Sequence, residues 1–158
     1  MPFNRTEWDE IAALGERVAQ ELSIPPDPSP QDIVSLVAKI DELNSVLSFK
    51  YTLVKSERAR LRHLLNVTKK RLLIQFKDQA KNRDECEAMA VDHIAVNGLG
   101  GLPDPFDVMA TLEEQCTCLE GLLGILEDKR RLLISCLGSM KLEVGLSALE
   151  GAARAHLQ

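Results

Sequence analysis

The sequence predicts an all-α fold of three helices, in which a long central helix forms an antiparallel coiled-coil hairpin with the third. From residue 109 to 144, apolar residues recur at alternating steps of three and four, interrupted only by Arg130. This period is typical of a helix that packs along a partner helix. Aromatic residues make up only 4% of the chain, whereas strands favour aromatic and β-branched side chains. Proline- and glycine-rich segments at 24–30 and 97–105 mark the two turns.

The first predicted helix spans residues 6–22 and folds back on the central helix. Thr6 is a suitable N-cap residue, and acidic residues follow it in the first turn. Prolines in segment 24–30 end this helix, because proline donates no backbone hydrogen bond. The apolar side chains of one helical stripe are Trp8, Ile11, Val18 and Leu22.

The central helix is predicted to span residues 30–97. Ser29 and Pro30 form a favourable start, and no further glycine or proline occurs before Gly98. Its apolar seam shifts beyond Leu65, so both a straight and a kinked helix remain open. A separate apolar row lies off this seam and is interrupted by Arg60. Its members are Val46, Leu53, Val67 and Ile74.

The third helix is predicted to span residues 105–150, with a frayed tail at 151–158, within a single helical domain of residues 1–158. A simple hairpin would place Arg83 opposite Glu120 and Lys77 opposite Glu127. Arg130 is expected to pair with an acid across the hairpin or to extend its charge to solvent.

A second apolar seam lies beside the first on the third helix. The combined apolar face is too wide for one partner helix to cover, so we expect the third helix to contact at least two helices. Together with the off-seam row of the central helix, it predicts docking to a second copy or to another coiled-coil protein. The predicted partner-binding residues are Leu53, Val67, Ile74, Leu122, Ile125 and Leu132.

Charge is distributed unevenly along the chain. Residues 50–83 hold eleven cations and two acids, a charge of +9, so the remaining residues carry −14 of the total −5. Such a window can be neutralised by the acidic third helix, by an acidic region of another copy, or by a phosphate backbone. The candidate nucleic-acid-binding residues are Lys55, Arg58, Arg60, Arg62, Lys69, Lys70, Arg71 and Lys77.

The sequence favours neither an enzyme nor a metal or cofactor protein. Cys116 and Cys118 point about 200° apart on a helix, so they cannot chelate one ion together. No apolar run is long enough for a membrane span, and the polar N-terminus differs from a secretory signal. Cysteines within helical segments indicate reduced thiols, hence a cytoplasmic or nuclear protein.

Three segments resemble the phage UvsY-type recombination mediators. They are Lys50-Tyr51, the motif Arg58-Ala59-Arg60-Leu61, and residues 130–145. Those mediators are small helical proteins that form rings, bind single-stranded DNA and help load a recombinase. The resemblance implies that Arg58 and Arg60 contact DNA.

Two functions are therefore expected from the sequence. The first is a non-enzymatic coiled-coil assembly subunit that acts through its helix seams in a homo- or hetero-oligomer. The alternative is a single-stranded DNA-binding recombination mediator that uses the basic stretch 50–83.

Overall fold

The computed structural model describes the backbone of residues 5–155 and the side chains of residues 9–144 other than 19 and 21. It contains four helices and no β-strand within these residues, which confirms the all-α prediction. Trp8 and the last residues of the predicted frayed tail, 156–158, lie outside the described side chains and backbone. The helices are α1 (Arg5–Glu21), α2 (Pro30–Phe76), α3 (Arg83–Asn97) and α4 (Pro105–Ala155).

The helix α2 begins at Pro30 after the predicted cap residue Ser29, and Ser29 and Asp32 cap it reciprocally. The Asp32 amide donates to Ser29 Oγ at 3.2 Å, and the Ser29 amide donates to Asp32 Oδ2 at 2.9 Å. The Ser29 hydroxyl also donates to this carboxylate at 2.6 Å and thereby lowers the pKa of Asp32. These bonds satisfy amides that have no partner within the helix.

The prediction of one helix over residues 30–97 is wrong, because α2 ends at Phe76 and α3 begins at Arg83. Asn82 caps α3 by accepting a hydrogen bond from the Glu85 amide at 2.8 Å. The Glu85 carboxylate accepts in turn from the Lys81 amide at 2.6 Å. Polar caps offer the backbone an alternative to the helical ladder, so this break needs neither glycine nor proline.

The turn between α3 and α4 depends most strongly on the glycine at position 98. Gly98 has a φ of 71°, and a Cβ added there would lie 2.3 Å from the carbonyl oxygen of Leu102. Leu99 and Leu102 exchange backbone hydrogen bonds of 2.8 and 3.0 Å across the turn. The glycine cluster thus serves a tight turn between helices.

The additional helix also makes the predicted hairpin alignment wrong. Glu120, expected opposite Arg83, instead accepts a hydrogen bond from the Tyr51 hydroxyl. Arg62 Nη2 lies 2.8 Å from Glu113 Oε1. The start of α4 therefore lies along the middle of α2. The simple hairpin alignment had treated residues 83–97 as part of the central helix, but these residues form the separate helix α3.

The chain divides into two compact units. Unit 1 comprises Met1–Ile11 and Phe49–Glu120, and unit 2 comprises Ala12–Ser48 and Gly121–Gln158. Helices α1, α2 and α4 contribute residues to both units, whereas α3 belongs to unit 1 alone.

Unit 2 has an aliphatic core from α1, α2 and α4. The helix α4 lies against α1, since a Cβ added at Gly15 would lie 3.7 Å from Leu122, and Lys129 Nζ donates to the carbonyl oxygen of Leu22, just beyond α1, at 3.2 Å. It contacts α2 through Arg130 Nε, which lies 2.9 Å from Asp41 Oδ1. These contacts confirm that the last helix touches two others and that Arg130 pairs with an acid. The buried side chains are Leu14, Val18, Leu22, Ile33, Leu36, Ile40, Leu43, Leu47, Leu126 and Leu133.

The predicted pairing of Lys77 with Glu127 is also wrong. Glu127 Oε1 accepts from Arg131 Nε at 3.0 Å, one turn further along α4. An interaction within one helix depends only on local spacing, whereas the predicted pair depended on the length of the hairpin connection.

Unit 1 has a more varied core, which includes two thiols and one amide. Leu72 of α2 packs with Ala90 and Ile94 of α3, bordered by half-buried side chains. Cys86 donates its thiol hydrogen to the carbonyl oxygen of Leu73 at 3.4 Å. The buried residues of this unit include Ile11, Leu61, Leu72, Cys86, Ala90, Ile94, Leu112, Gln115, Cys116 and Leu119.

Candidate interaction surfaces

All eight predicted nucleic-acid-binding residues belong to unit 1, and two of them are neutralised there. Arg62 pairs with Glu113 of α4 at 2.8 Å. Lys69 Nζ lies 3.1 Å from Glu87 Oε2 of α3. Both cations therefore face acidic partners on neighbouring helices.

Glu87 is held by cations from two directions. The Lys69 ammonium donates a hydrogen bond to it and, with its charge and the guanidinium of Arg83, holds the pKa of Glu87 below its usual range. Arg83 Nε lies 3.3 Å from Glu87 Oε1, one turn away on α3. A lowered carboxyl pKa means that ionised Glu87 favours the folded state.

A polar cluster joins α2 to α1 and α4 around Tyr51. Its hydroxyl donates to Glu120, and this hydrogen bond to a carboxylate is the main cause that raises the pKa of Tyr51. Lys55 Nζ lies 5.2 Å from the centre of the Tyr51 ring, within the range of a cation–π contact. Lys50 pairs with Glu10 of α1.

The charge of the basic window is balanced by the residues that follow it. Residues 84–120 contain nine acids and neither lysine nor arginine, a charge of −9 that matches the +9 of residues 50–83. Since both segments belong to unit 1, its basic and acidic residues are folded together. Comparing the two adjacent windows would have revealed this balance from sequence alone.

The other six predicted cations make no ion pair within the described part of the chain. They are exposed except for the half-buried Arg58. At about 100° per residue, those on α2 are distributed over more than half of its circumference. They do not form one continuous basic face. These six residues are Lys55, Arg58, Arg60, Lys70, Arg71 and Lys77.

One side of α2 in unit 1 exposes apolar and cationic residues at helical spacing, and we call it the outer stripe. Leu53 and Ile74 are 51% and 77% exposed, whereas Val67 is half-buried. Leu64, which was not among the predicted partner-binding residues, is also exposed, and its spacing from Val67 places it on this side. The outer stripe consists of Leu53, Arg60, Leu64, Val67, Arg71 and Ile74.

The predicted partner-binding row of α4 belongs to unit 2. Leu122 is half-buried, and a methyl group added at Gly15 of α1 would lie 3.7 Å from it. Ile125 and Leu132 are 48% and 53% exposed. The three residues thus divide into one that packs on α1 and two that face solvent.

A shallow cleft of about 320 Å³ borders the outer stripe in unit 1. Arg60 and Leu64 line it from α2, and Leu102 and Val108 line it from the turn and the start of α4. Most of the side chains around it are apolar. It therefore extends the apolar surface beside Leu64.

The thiols do not form a ligand set. All four cysteines are free, and Cys116 is buried while Cys118 is exposed. Among the side chains that the structure describes, no three histidine, cysteine or acidic groups are arranged as they would be around a metal ion.

In the part of the chain with described structure, no helix combines the length and the apolar character needed to cross a membrane. The chain matches no family model, no curated protein and no solved structure.

Proposed function

We propose that this chain is a non-enzymatic helical assembly subunit that associates with other helices through exposed apolar rows of α2 and α4. The main support is the outer stripe, where Leu53, Leu64 and Ile74 remain exposed. Their spacing follows the helical repeat, as it does on a surface that another helix covers.

Periodicity distinguishes this surface from incidental apolar exposure. Single exposed apolar residues are common and need no partner, whereas contiguous apolar surface is typical of interaction sites. Val96 of α3 is an example of the first kind, since it is 82% exposed but lies off the stripe. It provides a matched control for the residues on the stripe.

The test is the mass of the particle in solution as concentration rises through the micromolar range. We expect the unaltered chain to self-associate and Leu53→Asp/Ile74→Asp to remain a monomer, because charge on the stripe opposes desolvation. Val96→Asp should associate like the unaltered chain. A monomeric unaltered chain, or equal association by all three proteins, would contradict this function.

A second proposal is the binding of single-stranded DNA, as in the recombination mediators that the sequence resembles. The six unpaired cations support it, whereas the balanced charge of unit 1 weighs against it. Backbone contacts by such cations would make binding fall steeply with salt. A recombinase would then be the partner that the resemblance implies.

Titration of labelled single-stranded DNA at low and moderate salt separates the two proposals. If DNA is the ligand, Arg58→Ala/Arg60→Ala should weaken binding and reduce its salt dependence. Arg131→Ala is the control, because this arginine already pairs with Glu127 in unit 2. No binding by the unaltered chain at low salt would reject DNA as the ligand.

A further inference from the structure

We propose that the outer stripe of α2 pairs with the same stripe of a second copy, with the two helices antiparallel about a two-fold axis beside Leu64. The pairing rests on the proposed assembly function and specifies the partner, the surface and the orientation. A two-fold contact uses one surface twice, so every residue pair across it occurs in duplicate.

The residue types of the stripe are arranged symmetrically about its centre at Leu64, with an apolar residue at each end. With the axis beside Leu64, Leu53 of one copy lies level with Ile74 of the other. Arg60 lies level with Val67, which the aliphatic part of the arginine can cover while its charge reaches solvent. At 1.5 Å per residue, the contact from residue 53 to 74 is about 32 Å long.

Charge complementarity supports the antiparallel orientation. Glu57 and Arg71 are exposed, neither makes an ion pair among the described residues, and both lie toward the same edge of the stripe. Antiparallel pairing about Leu64 brings Glu57 of each copy level with Arg71 of the other. Two opposite-charge pairs then border the apolar contact.

The competing arrangements place like charges together. Parallel pairing in register sets Arg60 against Arg60 and Arg71 against Arg71. Moving the antiparallel axis about half a turn toward the C-terminus sets Arg60 against Arg71, and moving it about one turn toward the N-terminus sets Arg60 against Arg60. Like charges at such positions select against those registers.

The apolar surface is widest at the axis. Leu64 borders the cleft of about 320 Å³ that is also lined by Leu102 and Val108. In the proposed pairing the Leu64 side chains of both copies meet at this place. The centre of the contact is therefore apolar and its edges are charged, as in stable protein interfaces.

Charge reversal tests the orientation through the dissociation constant of the dimer. Glu57→Arg and Arg71→Glu should each weaken self-association roughly tenfold, since each replaces two attractive pairs by two repulsive ones. The double variant Glu57→Arg/Arg71→Glu should restore affinity, because the pairs re-form with exchanged signs. Asp92→Lys, an exposed charge reversal on α3 outside the stripe, should leave affinity unchanged.

Disulfide trapping gives an independent readout of register, in a background with Cys118→Ser and Cys136→Ser. Mixing Leu53→Cys with Ile74→Cys should give a covalent dimer of the two proteins, whereas neither alone should cross-link efficiently. Self-association without charge rescue and without this cross-link would overturn the pairing but leave the assembly function standing. A chain that stays monomeric would remove both.

Discussion

The two units bury their helices by different means. In unit 2 the buried side chains are leucine, isoleucine and valine, and polar contacts between helices are made by half-buried or exposed groups such as Arg130 with Asp41. In unit 1 the buried set includes Cys86, Cys116 and the amide of Gln115. Ion pairs connect α2 to the segments of α1, α3 and α4 that belong to this unit as well.

This difference shows that the same helices can pack stably in both units although they bury a narrower apolar surface in unit 1 than in unit 2. A broad aliphatic stripe stabilises packing without directional contacts. Where the stripe is narrower, as along residues 51–69 of α2, the contacts of Tyr51, Arg62 and Lys69 set which residues face each other. We therefore expect packing changes to affect unit 2 most and polar changes to affect unit 1 most.

Matched leucine truncations test this comparison with the largest expected effect. Leu133 of unit 2 is 2% exposed and Leu72 of unit 1 is 6% exposed. Leu133→Ala should lower the free energy of unfolding by about 3–5 kcal/mol, and Leu72→Ala by about 2 kcal/mol. The smaller loss is expected because half-exposed Leu65, Leu73 and Phe76 border Leu72 and can fill the space.

Urea unfolding followed by helical circular dichroism measures both losses. An equal or larger loss for Leu72→Ala would show that the cluster of α2 and α3 is as rigid as the aliphatic core. The assumed difference between the units would then be wrong.

The sequence predicts the buried seam well and the break in the central helix poorly. Leu112, Leu119, Leu126 and Leu133 recur every seven residues, and all four are buried. Glycine and proline give no sign of the end of α2, because neither occurs between Pro30 and Gly98. Asn82 followed by Glu85 was the local signal, since this spacing suits a cap that satisfies free amides.

The pairing of the predicted nucleic-acid-binding cations also depends on the break between α2 and α3. The two ion pairs of Arg62 and Lys69 involve residues from α4 and α3, so their partners cannot be assigned without the length of each helix. The exposed ends of the outer stripe, Leu53 and Ile74, were predicted from helical spacing alone. The apolar period of a single helix can thus be predicted from one sequence. The alignment of two helices cannot, because it depends on the length of every helix and turn that lies between them.

Gln115 offers the next largest effect, specific to unit 1. Its side chain is fully buried, and neither amide atom has a hydrogen-bond partner among the described residues. Gln115→Leu should raise the free energy of unfolding by about 1 kcal/mol, because it removes the desolvation penalty of an unpaired amide. Gln115→Ala should lower it, because a cavity replaces the side chain.

Thermal unfolding of the two variants beside the unaltered chain separates the polar and the packing contributions. If Gln115→Leu destabilises the chain, the amide has a favourable role that outweighs its desolvation. Unit 1 would then depend on polar groups even in its core, which sharpens the contrast with unit 2.

The cap of α3 gives a moderate effect confined to unit 1. Asn82→Ala should lower stability by about 1 kcal/mol, since the Glu85 amide loses its acceptor. Hydrogen exchange should increase at the start of α3 more than in α4. Asn82→Asp keeps an acceptor at the same position and should retain protection, so equal exchange in both variants would argue against the cap.

The smallest expected effect is the pH dependence contributed by Glu87. Its pKa is lowered in the folded chain, so it contributes stability at neutral pH that is lost as pH falls through the folded-state pKa. The difference in melting temperature between the unaltered chain and Glu87→Gln should therefore be present at about pH 7 and shrink as pH falls through the folded-state pKa.

Asp92→Asn is the control, because it removes an exposed carboxylate from the same helix without removing a cation contact. Added salt should reduce the Glu87 difference as well, since Lys69 and Glu87 are both more than one third exposed and are screened by ions. A difference that is independent of both pH and salt would mean that Glu87→Gln acts through packing. The polar contacts between α2 and α3 would then set alignment without adding electrostatic stability.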